Sequence, residues 1–273
     1  MGDAVPQPVG EAVPQPGSYR QRDQPDGVPP LELTGERTLP DVPEENYWFR
    51  RHLVVYEWIA RRVEGLRVLD MACGEGYGSS VLARTAASVV GVDANPQAHE
   101  HARLRYVTPN LRFARALVER FGEPADAVVF LQTIEHLQEP GAALEHFRSL
   151  LAGAPASAAV FVSTPNVLTL APKGASRSGN PWHVHEYRFR EFEQLCRGHF
   201  ASVEMHGLFH ARKLRVHDLA LRAGWDRLHP RLGLTRAFYD RFTPAIATSD
   251  FALRPHPAAD LDRALDFLAV CRP

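Results

Sequence analysis

Asp70 closes a short apolar run and is followed by glycines at alternate positions, Gly74, Gly76 and Gly78, while Asp93 closes the next apolar run. Glycines permit a tight turn and a close backbone approach to a ligand, and a helix beginning there offers unpaired N–H groups and its positive end. A carboxylate at the second strand end can accept hydrogen bonds from both hydroxyls of a ribose. Two acidic strand ends framing a glycine turn therefore point to an adenosine-bearing ligand more strongly than a glycine turn alone. Two further groups could do proton chemistry: His136, and the segment His183-Val184-His185-Glu186. Imidazole and carboxylate side chains are suited to accepting a proton from an attacking alcohol.

The turn is not the dinucleotide pattern. That fingerprint requires G-x-G-x-x-G, whereas Asp70-Met71-Ala72-Cys73-Gly74-Glu75-Gly76-Tyr77-Gly78 stands here. A carboxylate just before the turn would repel a diphosphate but suits a sulfonium-bearing amino-acid group, which favours S-adenosylmethionine over NAD.

These residues need a scaffold, and the periodicity supplies one. A helix is predicted over 44–63, with Phe49, Val55, Tyr56, Ile59 and Val63 apolar and Gly65 as its stop. Strands are predicted at Val68–Asp70, Ser88–Asp93, Leu111–Val118, Asp126–Leu131 and Ala158–Ser163, separated by helices, the last of these at Pro140–Leu151. Alternating apolar strands and helices imply an α/β fold with a parallel sheet covered on both faces and a ligand crevice at the strand ends. A sixth strand near Ala201–Met205 and a last near Leu265–Cys271 enclose helical stretches at Ala211–Ala223 and Leu234–Phe242, separated by Trp225 and Pro230. This helical insertion, spanning 209–262, reads as a lid on the acceptor side or as packing on the main core.

Composition bounds the partners. The 273 residues suit one sizeable domain, here 34–273, and 31 Lys plus Arg against 32 Asp plus Glu give a net charge of −1, with no cationic field for nucleic acid. The first forty residues hold eight prolines and a near repeat, 2–9 and 10–17, so 1–33 is expected to be a flexible tail, with order beginning near Leu31 or Thr34. Cys73, Cys196 and Cys271 lack the spacing of a disulfide framework or zinc site. With no signal segment and no bilayer-length apolar run, a cytoplasmic protein is expected.

The chain resembles the class I S-adenosylmethionine-dependent methyltransferases from about Asn46 to Phe200, through Val68-Leu69-Asp70, Gly74-Glu75-Gly76, Gly91-Val92-Asp93 and Gln132-Thr133-Ile134-Glu135-His136-Leu137. The resemblance implies a Rossmann-like sheet flanked by helices, with Asp70, Gly74 and Gln132 toward the methionine part of the cofactor, Asp93 on its ribose, and Ala72 and Gly76 as further cofactor-binding candidates in the turn. Ala72 stands where the family usually has glycine. Ala116-Leu117 stands where many members carry an acid or amide for adenine, so Leu117 would contribute apolar packing, and Ala94 only backbone groups and a methyl. Leu33-Thr34-Gly35-Glu36-Arg37-Thr38, Asn46-Tyr47-Trp48-Phe49-Arg50-Arg51-His52, Ser163-Thr164-Pro165-Asn166 and Asn180-Pro181-Trp182-His183-Val184-His185-Glu186 are similar to actinobacterial methyltransferases of methylglucose lipopolysaccharide or the mycofactocin oligosaccharide. That similarity implies a sugar hydroxyl as acceptor.

On this reading Tyr47 and Arg51 cover the adenosine or meet the acceptor. His136 is the first candidate base, with Glu135 able to orient it, and His183 the second, organised by Glu186. A divalent ion such as magnesium is compatible with the His183-His185-Glu186 cluster, but direct histidine assistance is the favoured route, with no metal ligand assigned. The runners-up are a small-molecule O- or N-methyltransferase unrelated to glycans and a noncatalytic cofactor-binding module. Neither an Asp-Pro-Pro-Tyr-like motif nor a Pro-Cys nucleophile points to nucleic-acid methylation. A homodimer is left open.

Overall fold

The computed structural model describes residues 18–19, 21, 24–32, 37–172 and 174–273. The repeat at 2–9 and 10–17 and the segment 33–36 lie outside the described residues. Two short strands, β1 (Ser18–Tyr19) and β2 (Leu31–Glu32), pair antiparallel. Gln21 and Gln24 are buried, and Leu31 packs with Leu39 and Val42 in a small apolar cluster. The chain thus packs on the domain ahead of Leu31, earlier than the expected start of order. The reason is that its upstream contacts are polar, Gln21 Nε2 donating to Glu75 at 2.8 Å and the Pro29 carbonyl meeting His101 Nδ1 at 2.7 Å, so no apolar period marks them.

Helix α1 (Asn46–Ala60) precedes the sheet. Then β3 (Arg67–Met71), α2 (Tyr77–Leu82), β4 (Ser88–Asp93), α3 (Pro96–Arg105), β5 (Leu111–Arg115), β6 (Ala127–Leu131), α4 (Pro140–Leu150) and β7 (Ala159–Pro165) follow. These five strands are parallel in the order β5-β4-β3-β6-β7. Successive strand side chains point to opposite faces, and the core divides accordingly. Leu69, Val128, Phe130 and Val160 pack with Leu144 and Phe147 of α4. Val68, Val129 and Phe161 pack with Ile59 of α1 and Leu82 of α2 on the other face. Each such side chain contributes about 1.5–3 kcal/mol by leaving water, enough to hold the strand ends in one plane.

Beyond β7 come α5 (Val167–Leu170), α6 (Phe189–His199), β8 (Ser202–His210), α7 (Arg212–Arg222), α8 (Trp225–Arg231), α9 (Thr235–Phe242), β9 (Phe251–Pro255) and β10 (Asp266–Arg272). Here the sheet is antiparallel, with β10 between β7 and β8 and β9 at the edge. The expected parallel sheet is therefore mixed, because β8, β9 and β10 return without helical crossovers between neighbours of like direction. The insertion α7–α9 covers 212–242, narrower than 209–262, since Phe209 and His210 belong to β8 and residues 251–255 form β9. Trp225 and Pro230, read as a break, lie within α8.

The insertion is fastened to α1. Asn46 Nδ2 donates to the carbonyls of Thr243 and Ile246, both at 2.9 Å. His210 bridges the two elements, its Nε2 2.8 Å from the Tyr47 hydroxyl and its Nδ1 2.8 Å from Asp218 Oδ2.

Candidate active site

The turn after β3 runs through the left-handed region at Ala72 (φ +58°), Gly74 (+55°) and Gly76 (+97°). An L side chain pays roughly 1–2 kcal/mol there, which explains why the resembled family favours glycine where Ala72 stands. Gly78 has a different reason: a Cβ on it would lie 2.2 Å from Tyr56 Cζ. That close packing lets the Tyr56 hydroxyl donate to Asp70 Oδ1 at 3.1 Å, while Ser79 Oγ donates to Oδ2 at 2.6 Å. Asp70 is fully buried, and burial pushes its carboxyl up to about 7 against the lowering effect of those two hydrogen bonds. It sits behind the turn. Asp93 reaches forward, accepting from the Gly74 N–H on Oδ2 and the Asn95 N–H on Oδ1, both at 2.8 Å. Each oxygen keeps acceptor capacity for a hydroxyl.

A cavity of about 240 Å³ opens at these strand ends. Of the residues expected at the cofactor, Ala72, Gly74, Asp93 and Gln132 line it, and His136 lines it too. Gln132 is held with φ +52°, its amide Nε2 donating to Ser163 Oγ at 3.0 Å. Gly76, Ala94 and Leu117 are not among the lining residues, and Ala94 and Leu117 are exposed.

Tyr47 and Arg51 do not reach the cavity. Both are buried against the sheet, Arg51 donating to Asp266 at 2.7 Å from Nε and 2.6 Å from Nη2, and to the Leu265 carbonyl at 2.9 Å. One residue further along the helix turns about 100°, so His52 and, four residues on, Tyr56 face the cavity instead. Burial lowers the His52 imidazole to about 4, against the pull of Asp266, so the ring is neutral at pH 7. Arg37, Thr38, Tyr77 and Thr133 complete much of the wall and were not singled out from sequence, although Arg37, Thr38 and His52 lie in segments that carried the resemblance.

Glu75, inside the glycine turn, was also missed as a functional position. It is buried and accepts from Gln21 Nε2, from the Tyr106 hydroxyl at 2.8 Å and from the Tyr77 N–H at 3.0 Å, with His101 Nε2 at 3.2 Å. An acid amid glycines was the available signal.

A histidine cluster at the His136 wall of the cavity is assembled from two distant segments. The Glu135 carbonyl accepts the N–H groups of Val184 (2.9 Å) and His185 (3.1 Å). His136 Nδ1 lies 3.0 Å from the Trp182 carbonyl and therefore carries its proton there, and the His136 and His183 rings lie 5.1 Å apart. His183 Nδ1 is 2.8 Å from Glu186 Oε1, leaving the Nε2 lone pair to accept from Asn180 Nδ2 at 3.1 Å. Burial lowers the His183 pKa despite the pull of Glu186. Burial raises that of Glu186, but hydrogen bonds from Ser178 and His183 outweigh it and hold the carboxyl below its usual range. Trp182, on the same loop, is 55% exposed.

Two expectations change. Glu135 does not orient His136: it is buried with Oε2 accepting from Thr164 Oγ1 at 3.1 Å, and burial pushes it up to about 8. His185 leaves the cluster to meet Glu191 Oε1 at 2.7 Å on the surface. The trio whose ligand atoms lie within 4.8 Å of one another is Glu135, His136 and His183.

Comparison with known proteins agrees with this geometry. A methyltransferase-domain family model matches residues 46–219. A probable S-adenosylmethionine-dependent methyltransferase of Mycolicibacterium smegmatis is 36% identical over 249 residues, covering 88% of this chain and 94% of that protein. A Mycobacterium tuberculosis protein of the same description is 36% identical over 253 residues, covering 88% and 89%. A ubiquinone biosynthesis O-methyltransferase of Albidiferax ferrireducens is 32% identical over 185 residues, covering 61% and 70%. The fold matches a crystal structure of a Thermotoga maritima S-adenosylmethionine-dependent methyltransferase, with TM-score 0.55, 13% identity and coverage of 84% and 94%. The chain belongs to the methyltransferase domain family, in its class I Rossmann-like form. It is an S-adenosylmethionine-dependent methyltransferase related to the actinobacterial proteins. Among the described residues no helix is long and apolar enough to cross a membrane.

Proposed function

We propose that the protein methylates a sugar hydroxyl of a glycan or glycosylated small molecule, with His183 as the base. The observation that carries this reading is the His183–Glu186 pair beside His136, on a loop that also carries the exposed Trp182. Glu186 fixes the imidazole with its proton on Nδ1, which leaves the Nε2 lone pair as the acceptor once Asn180 yields to a substrate hydroxyl. An indole face suits the apolar side of a pyranose while its edge stays wet. The similarity to an O-methyltransferase of ubiquinone biosynthesis supports oxygen as the attacked atom.

Asp93 would hold the cofactor ribose, and Gly74, Ala72 and Gln132 the methionine part, with Asp70 acting through Tyr56 and the turn. S-adenosylmethionine, when bound, supplies an electrophilic methyl on a sulfonium. His183 Nε2 would accept the proton of the acceptor hydroxyl as its oxygen takes the methyl group. Tyr47 and Arg51 serve by holding α1 on the sheet.

A second route rests on the cluster of Glu135, His136 and His183, which would hold a divalent ion; such an ion would supply Lewis acidity to the acceptor hydroxyl. Transfer of labelled methyl to methylglucose precursors, glucosylated mycofactocin and unrelated alcohols and amines tests both. Label in a glycan, dependent on His183, supports the proposal. Transfer to amines alone sinks it, and loss of transfer on chelation with rescue by magnesium selects the second route.

A further inference from the structure

The insertion α7–α9 differs from the rest of the molecule in two properties at once. Residues 212–241 carry eight Arg or Lys against three Asp, an excess of five positive charges, so the remainder of this chain of net charge −1 carries an excess of six negative ones. The same stretch holds Val216, Leu219, Leu228, Leu232 and Leu234, five of the ten exposed large apolar side chains among the described residues. Scattered exposed leucines need no explanation, but clustered ones mark contact surfaces.

The two sets share a surface. On α7, Leu214, His217 and Leu221 are buried, so Arg215, Val216, Leu219 and Arg222 face outward. Ala220 and Ala223 from the α7 side and Arg227, Leu228 and Arg231 of α8 line one open cleft of about 440 Å³. Among the described residues, none of Arg215, Arg222, Arg227, Arg231, Arg236 and Arg241 has a salt-bridge partner.

The aromatic rings of the insertion decide between anionic partners. Trp225 packs on His229 and Phe238, and Phe238 and Phe242 stack with each other and with His217. Stacking on bases uses free aromatic faces, and these rings are engaged with one another. What projects is leucine and arginine, the pairing with which an interfacial helix places apolar side chains at the acyl boundary and cations among phosphates. A second copy across a two-fold axis would set like charge against like.

We propose that α7–α9 dock the protein on an anionic phospholipid surface. Asp218 of α7 is linked through His210 to Tyr47 of α1, the helix whose His52 and Tyr56 line the cavity, so one helix connects the insertion to the cavity wall. This surface is distinct from the residues assigned to methyl transfer, and its test does not use that activity.

Sedimentation of the full chain with vesicles provides the test. The protein is expected to pellet with mixed phosphatidylglycerol–phosphatidylcholine vesicles, to stay in solution with phosphatidylcholine alone, and to be released by salt. Leu219→Glu with Leu228→Glu, and separately Arg215→Glu with Arg222→Glu, should each weaken partition at least about tenfold, with S-adenosylmethionine binding and thermal unfolding unchanged. No pelleting with anionic vesicles, equal pelleting with both lipids, or wild-type binding by both folded variants overturns the proposal. So does a concentration-dependent dimer lost in Leu219→Glu/Leu228→Glu, or retention on duplex DNA, in a protein that leaves the vesicles in solution.

Discussion

The glycine-turn side of the cavity and its histidine side, proposed above as the acceptor side, are built in different ways. On the cofactor side, chemistry follows from consecutive residues: β3, a turn and β4 bring Asp70, Gly74 and Asp93 together within 24 residues. On the histidine side, His136 and His183 meet because a loop almost fifty residues away is tied to this segment, two of its N–H groups by the Glu135 carbonyl and the Trp182 carbonyl by His136 Nδ1. The first arrangement is open to sterics and backbone strain; the second, on the function proposed above, is open to loss of a single imidazole.

The largest separation of the two should come from His183→Ala. General-base assistance is worth about 10²–10⁴-fold, so kcat is expected to fall in that range while titration calorimetry finds S-adenosylmethionine affinity unchanged. Equal losses in both would merge the two sides into one site. Gly78→Ala should do the reverse: its methyl enters the space of Tyr56, and overpacking costs about 1–3 kcal/mol. Lower Tm and weakened cofactor binding are expected, and a wild-type Tm would mean that Tyr56 can move aside.

A smaller effect concerns pH. Asp70 at about 7 and Glu135 at about 8 hold their protons in the folded chain far above the range in which the unfolded chain releases them. Their stabilising contribution is present at acid pH and is lost as pH rises through those folded values. His52, lowered to about 4, opposes this below its unfolded value of about 6.5. Without cofactor, Tm should therefore decline between about pH 6.5 and 8, and Asp70→Asn should make the decline shallower. An unchanged slope in thermal melts would remove Asp70 from the account. The smallest effect is at Ala72, where glycine relieves the positive φ but enlarges the entropy of the unfolded chain. Ala72→Gly is expected to shift stability by no more than about 1 kcal/mol, in the stabilising direction.

The same contrast explains what could be read before the structure. Strand ends and glycine turns are local, so Ala72, Gly74, Asp93 and Gln132 could be placed on the cavity from spacing and resemblance. Tyr47 and Arg51 could not, because which face of α1 meets the sheet depends on Asp266, over two hundred residues away. The aromatic and basic character of that helix start was visible, but its direction was not. Glu75 was hidden differently: its partners Gln21, His101 and Tyr106 are polar and scattered, and binary patterning is silent on polar networks. The edge strand β9 is five residues with two basic or proline positions at its end, too short and mixed to signal itself beside longer apolar runs.

One consequence of the sheet order concerns biogenesis. β7 pairs on one side with β6 and on the other with β10, whose residues are made about a hundred positions later. During synthesis the parallel half can form while β7, an apolar seven-residue strand buried throughout in the finished fold, still has a bare edge. Such an edge is a template for pairing with another chain. The nascent protein is therefore most exposed to misassembly in the interval before β10 arrives, and weakening β10 should lower the yield of soluble protein more than equal damage to the outer strand β9.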